Sequence, residues 1–246
     1  MANSVGSRAQ PSNSWRAVVA TAFRVLTFRA SREELHSLSI HHLAFGLVCT
    51  WIVGMGRYYD NPRVGLLQHL GVGSVIYVFV FSLFIWLIVA PLRPGNWRYL
   101  RICAFVALVS PPAVLYAIPV ERLFDLDTAN SLNVWFLAVV ATWRVALLLF
   151  FFKRSTELSW FSAMVAALLP LSLIVVVLQV LNLEKAVFSL MGGLSEKTPN
   201  DAAFAALVTL SIISFLLFIP LVLCYLGIVI VKVVNSRQRR ADESGV

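Results

Sequence analysis

The chain has 246 residues, 59% of them hydrophobic and 13% charged, and a formal net charge of +8. An ordinary soluble domain carries about 25% charged residues, so this composition excludes a typical soluble enzyme and selects a membrane-embedded class. The basic groups flank long apolar runs, where anionic lipid headgroups are the nearest partners. The positive balance therefore does not imply nucleic-acid binding.

In chain order, residues 1–13 are rich in Ser, Asn, Ala and Pro and predict a disordered arm. Residues 15–29, WRAVVATAFRVLTFR, predict an amphipathic interfacial helix. At 100° per residue, Trp15, Val18, Val19, Ala22, Phe23 and Leu26 share one side, and Arg16, Arg24 and Thr27 share the other. Ser31-Arg32-Glu33-Glu34 has the form of a capping box, so a helix starts near residue 32 and leads toward the first apolar run. On this pattern residues 1–37 form a cytoplasmic arm, 38–233 a transmembrane domain and 234–246 a basic, polar cytoplasmic tail.

Six apolar runs follow, at 38–57, 65–91, 98–120, 131–152, 158–181 and 203–233. Each reaches the roughly 20 residues that a helix needs to cross the hydrocarbon core. The stretch AFAALVTLSIISFLLFI at 203–219 lacks the polar stripe of a soluble amphipathic helix. The runs also lack the alternation of membrane β-strands. The expected fold is an all-α, polytopic integral membrane bundle of six transmembrane helices, preceded by the amphipathic interfacial helix. Pro111, Pro112 and Pro119 mark the third run as irregular, and Pro170 and Pro220 fall within the fifth and sixth. Ala163, Ala166 and Ala167 in the fifth run, and Ala202, Ala203 and Ala206 in the sixth, offer small faces for close packing.

Lys and Arg alternate between loops. With a cytoplasmic N-terminus, the inside regions hold Arg8, Arg16, Arg24, Arg29, Arg32, Arg93, Arg98, Arg101, Lys153, Arg154, Lys232, Arg237, Arg239 and Arg240, which is 14. The outside loops hold Arg57, Arg63, Arg122, Lys185 and Lys197, which is 5. The positive-inside rule then places both termini in the cytoplasm. No cleavable leader is expected, because Arg24 interrupts the early apolar run. Compact loops without an N-x-Ser/Thr sequon favour a bacterial cytoplasmic (inner) membrane.

Arg144 is the exceptional residue, a charge about ten residues from either end of the fourth run. A charge at the bilayer centre costs roughly 2.5–3.5 kcal/mol on insertion scales, so it should face protein or water. Ser110, Pro111 and Pro112 lie at matching depth in the third run. Two prolines there deprive the Ala107 and Leu108 carbonyls of helical donors, and a guanidinium could clamp them. The rival role for Arg144 and Ser110 is an anion, substrate or gating site. On the outer face, Arg57, Tyr58, Asp60, His69, Glu121 and Arg122 form a mixed-charge cluster. It reads first as ion pairs closing the bundle, and otherwise as a polar-ligand or metal site. Residues 182–193 predict a short outer amphipathic helix, an anchor or lid.

His36, His41 and His42 are not spaced to share a metal and read as interfacial anchors. Cys49, Cys103 and Cys224 stand singly and read as packing residues. No nucleophile elbow, phosphate loop, intramembrane aspartate pair or cofactor motif is present. The expectation is a non-catalytic, cofactor-free membrane protein. It would be a structural or interaction component that meets anionic lipid headgroups and a membrane-protein partner. The alternatives are a small transporter or channel using Arg144 and the outer cluster, and a lipid-handling membrane enzyme.

Overall fold

A computed structural model describes residues 14–56, 70–92, 94, 95, 97–118, 120, 123–181 and 201–244. Among them run eight α-helices: α1 (Trp15–Leu26), α2 (Arg32–His36), α3 (Ile40–Gly56), α4 (Val72–Val89), α5 (Tyr99–Leu108), α6 (Leu126–Ser155), α7 (Trp160–Val180) and α8 (Asp201–Ser244). Short 3₁₀ segments at Ala90–Leu92 and Pro111–Ala117 extend α4 and follow α5.

Four helical stretches are long and apolar enough to cross a membrane, namely Val72–Leu92, Ser131–Ser155, Trp160–Val180 and Val208–Asn235. Two shorter apolar helices, Ile40–Met55 and Tyr99–Leu115, accompany them. The outward faces are hydrocarbon: Ile76, Phe79, Val80, Leu83 and Leu87 of α4 are exposed, as are Ile212, Leu216, Ile219, Leu223 and Ile230 of α8. A water-soluble fold would not leave such continuous apolar surfaces open. The chain is therefore an all-α, multi-pass integral membrane protein.

The shortest apolar helix sits at the centre. Every residue from Arg101 to Leu108 in α5 is buried. Around it close Val78, Ile85 and Val89 of α4, Leu147, Leu148, Phe151 and Phe152 of α6, and Ala163, Ala166 and Ala167 of α7. Phe105 stacks on Phe151 with ring centroids 4.1 Å apart. α3 lies closest of all. A Cβ on Gly46 would come within 2.7 Å of the Ala107 Cβ, so only glycine lets these two backbones approach so nearly. Gly71 has φ +66° and caps the start of α4, where a side chain would strike the Trp51 carbonyl.

Helix α5 stops because Pro111 and Pro112 cannot donate backwards. The chain tightens at Val109–Ser110 and continues as the 3₁₀ segment Pro111–Ala117. Pro170 and Pro220, by contrast, lie inside continuous helices. α8 runs on to Ser244, so part of the stretch read as a polar tail is helical.

α1 docks on the bundle more firmly than an interfacial helix lying alone would. Val18, Thr21, Ala22 and Val25 turn into the protein. Trp15, Val19 and Phe23 remain exposed. The apolar arc of α1 is thus divided, one flank packed on the core and the other open. The Ser31 capping box forms with both of its hydrogen bonds and starts α2. Arg24 pairs with Glu34 at 2.6 Å, Arg32 pairs with Glu157 at 3.0 Å, and His36 Nε2 lies 2.8 Å from the Ser155 carbonyl at the end of α6. With Ala30, Leu35 and Leu38 in the core, α1 and α2 form one unit fixed to the bundle.

Candidate functional site

Arg144 lies on the stripe of α6 that carries the buried residues Val140, Leu147, Leu148 and Phe151, so its side chain turns toward protein. It reaches the break that follows α5. Its Nη2 donates to the Ser110 carbonyl over 3.4 Å, near the outer limit for a hydrogen bond. The Arg144 Nε–H is buried and has no partner. No carboxylate among the described residues pairs with the guanidinium.

Of the two carbonyls freed by the prolines, Ala107 finds another donor. Ala107 accepts from the Ser110 N–H at 3.2 Å, with Thr50 Oγ1 at 3.4 Å, and Ser110 accepts from the Ala113 N–H at 2.9 Å. The arginine therefore meets Ser110, rather than Ala107 or Leu108, and meets a carbonyl that already has a backbone donor. The Ser110 N–H closes on Ala107 as the chain tightens into a 3₁₀ turn, a local contribution that sequence pattern does not reveal.

Thr50 of α3 is the member that sequence reasoning missed. Its Oγ1 lies 2.8 Å from the Gly46 carbonyl and 2.7 Å from Ser110 Oγ. One hydroxyl carries one proton, so with Thr50 donating to Gly46, Ser110 donates to Thr50. The signal was present as Gly46, Thr50 and Gly54, a small-residue stripe at four-residue spacing. Gly46 meets Ala107, Thr50 meets Ser110, and Gly54 meets Gly71 and Ser74.

The outer cluster lies outside the described residues: Arg57, Tyr58, Asp60, His69, Glu121 and Arg122 are all in this set, as is the 182–193 segment. Of the histidines, His36 meets the α6 terminus, His41 meets the Trp15 ring edge-on, and His42 Nδ1 lies 3.1 Å from Ser39 Oγ. Cys103 is buried in the core, and Cys49 and Cys224 are partly buried and free. Among the described residues no group of three or more His, Cys, Asp or Glu could hold a metal ion.

Elsewhere, polar side chains tie helices together. Gln179 of α7 bonds Ser211 of α8, the Tyr225 hydroxyl donates to the Ile88 carbonyl at 2.8 Å, and Lys232 donates to the Leu92 carbonyl at 2.5 Å. Two shallow surface hollows accompany these features. One of about 400 Å³ lies at the Gln179–Ser211 contact, and one of about 570 Å³ is bounded by Trp15, Arg16, Val19, Ala20 and Phe23 of α1. Neither is lined by Arg144.

No protein-family model matches the chain, and no curated protein and no solved structure matches it. Its function has to be argued from its own residues.

Proposed function

We propose that this is a six-span, non-catalytic membrane protein with both termini cytoplasmic, a structural or interaction component of a bacterial cytoplasmic membrane. The six-span count rests on reading the two shorter helices as crossings. α3, at 17 residues, is about 25 Å long. α5 with its 3₁₀ continuation, 10 and 7 residues, comes to about 29 Å. Both are close to the roughly 30 Å hydrocarbon core, which a short helix can thin locally. In this reading residues 1–37 are the cytoplasmic arm, 38–233 the membrane domain and 234–246 the tail.

The observation that carries the function is the α1–α2 unit. Arg24–Glu34 joins its two helices, and Arg32–Glu157, His36–Ser155 and the buried Val25 and Leu35 hold it to the bundle. It still presents an open edge of Trp15, Val19 and Phe23 beside Arg16. A rigidly mounted amphipathic edge can engage anionic headgroups and the cytoplasmic side of a neighbouring membrane protein.

The test compares wild type with Phe23→Glu in native membranes. A partner that co-purifies in fixed ratio with wild type, and is lost with the variant, supports the interaction role. Solute flux by the purified protein in liposomes, abolished by Arg144→Leu, would replace it with the transporter reading.

A further inference from the structure

Arg144 carries five N–H donors. One makes a long bond to a carbonyl already served by Ala113, and the Nε–H is buried without a partner. Buried polar groups in native proteins are nearly always satisfied, and a charged one left open is the costliest kind. The side chain as a whole is partly exposed, and Ala141, Thr142 and Trp143 beside it on α6 are exposed, so the guanidinium can be approached from the flank of the bundle.

The residue beside Arg144 on α6 also meets α1. Trp143 donates its indole N–H to the Leu26 carbonyl at 3.1 Å, so the C-terminal end of α1 lies within one side-chain length of it. α1 bears the exposed Arg24 close to that end, paired with Glu34, so charged side chains stand near Trp143. The short α3 and the broken α5 pack beside the same site, and short spans draw the headgroup layer inward.

We propose that Arg144 is the anchor of an oxyanion site, taking a carboxylate or phosphate on the terminal Nη donors that Ser110 leaves free, while Ser110 holds the guanidinium from the protein side. The planar fork of arginine matches the paired oxygens of both groups, and a low-dielectric flank strengthens the contact. The oxyanion can be the headgroup of an amphiphile arriving through the bilayer or a free ion. This site stands whether or not the α1 edge binds a partner.

The experiment is thermal unfolding of the purified full-length protein in neutral detergent, titrated with oleate, methyl oleate and inorganic phosphate at constant ionic strength. Oleate should raise the midpoint saturably, and methyl oleate, with the same chain and no charge, should not. Stabilisation by oleate alone assigns an amphiphile as the source. Stabilisation by phosphate alone or by both ligands shows that a free oxyanion also enters. Arg144→Gln should weaken the response about tenfold or more, consistent with loss of a charge-assisted pair. Should Arg144→Gln not fold, Arg144→Lys must show a weakened but measurable response, since an ammonium keeps the charge and loses the fork. Equal effects of oleate and its methyl ester, no effect of any ligand on wild type, or an unchanged response in the Arg144 variant that folds would each overturn the proposal.

Discussion

Single residues in this protein act through how closely they let backbones approach. Gly46 sits where a Cβ would lie 2.7 Å from the Ala107 side chain and 2.8 Å from its backbone carbon. Gly46→Ala should therefore separate α3 from α5 and cost about 1–3 kcal/mol, the usual range for overpacking. Gly73→Ala, in open space on α4, is the matched control and should lose nothing. Detergent unfolding midpoints of the two variants check this, and equal losses would refute the close-packing argument. Arg144 gives the opposite sign. Because the Ser110 carbonyl keeps the Ala113 donor, Arg144→Leu orphans no acceptor and removes a poorly paired charge. In neutral detergent without added anions it should match or exceed wild-type stability, within about 1 kcal/mol, as replacement of buried ionic groups by apolar ones commonly does. A loss of about 3 kcal/mol would instead mark the arginine as a brace for the break, the cost of breaking a buried pair. Arg144 was visible in the sequence because a charge inside an apolar run is anomalous by position alone. Thr50 was not, because a threonine in a helix is unremarkable until the opposite helix places Ser110 against it.

At the scale of elements, α1 shows how one amphipathic helix serves two surfaces. Val18, Thr21, Ala22 and Val25 face the bundle, and Trp15, Val19 and Phe23 face outward. Phe23→Glu should lift only the outward flank. Nitroxide labels at Val19 would move from lipid toward water, while unfolding of the bundle stays unchanged. Val25→Glu buries a carboxylate at a fully buried position and should unseat α1 and lower bundle stability by several kcal/mol. Identical behaviour of the two variants would mean that the two flanks are not distinct. The amphipathic pattern of α1 was legible from its 3.6-residue period. Its division was not, because periodicity records which side is apolar and not whether protein or lipid covers it.

For the whole molecule, α3 and α4 pack directly on α5, while α8 lies at the periphery against α7 and α6. Of the four long apolar helices α8 is the least buried, with 11% of its most apolar window buried, against 50% for α7. The proposed orientation makes a direct prediction. Reporter fusions after residues 30, 95, 155 and 240 should report cytoplasm, and insertions near 61, 126 and 197 should report the outside. An outside signal at 30 or 240 would overturn the six-span topology.

The sequence by itself determined the class and the approximate places of the long apolar helices. Transfer of an apolar run with its internally bonded backbone into hydrocarbon is a local, additive quantity, readable from about 20 residues at a time. It also determined the capping box at Ser31 and the break before Pro111, since each is set by residues within a turn of one another. The tertiary structure alone decided that the short apolar helix α5 is the core, that Gly46 and Thr50 close on Ala107 and Ser110, and that α1 brings Leu26 beside Trp143. Those outcomes depend on shape complementarity between segments tens to more than a hundred positions apart, and no local property of either segment encodes which partner it will meet.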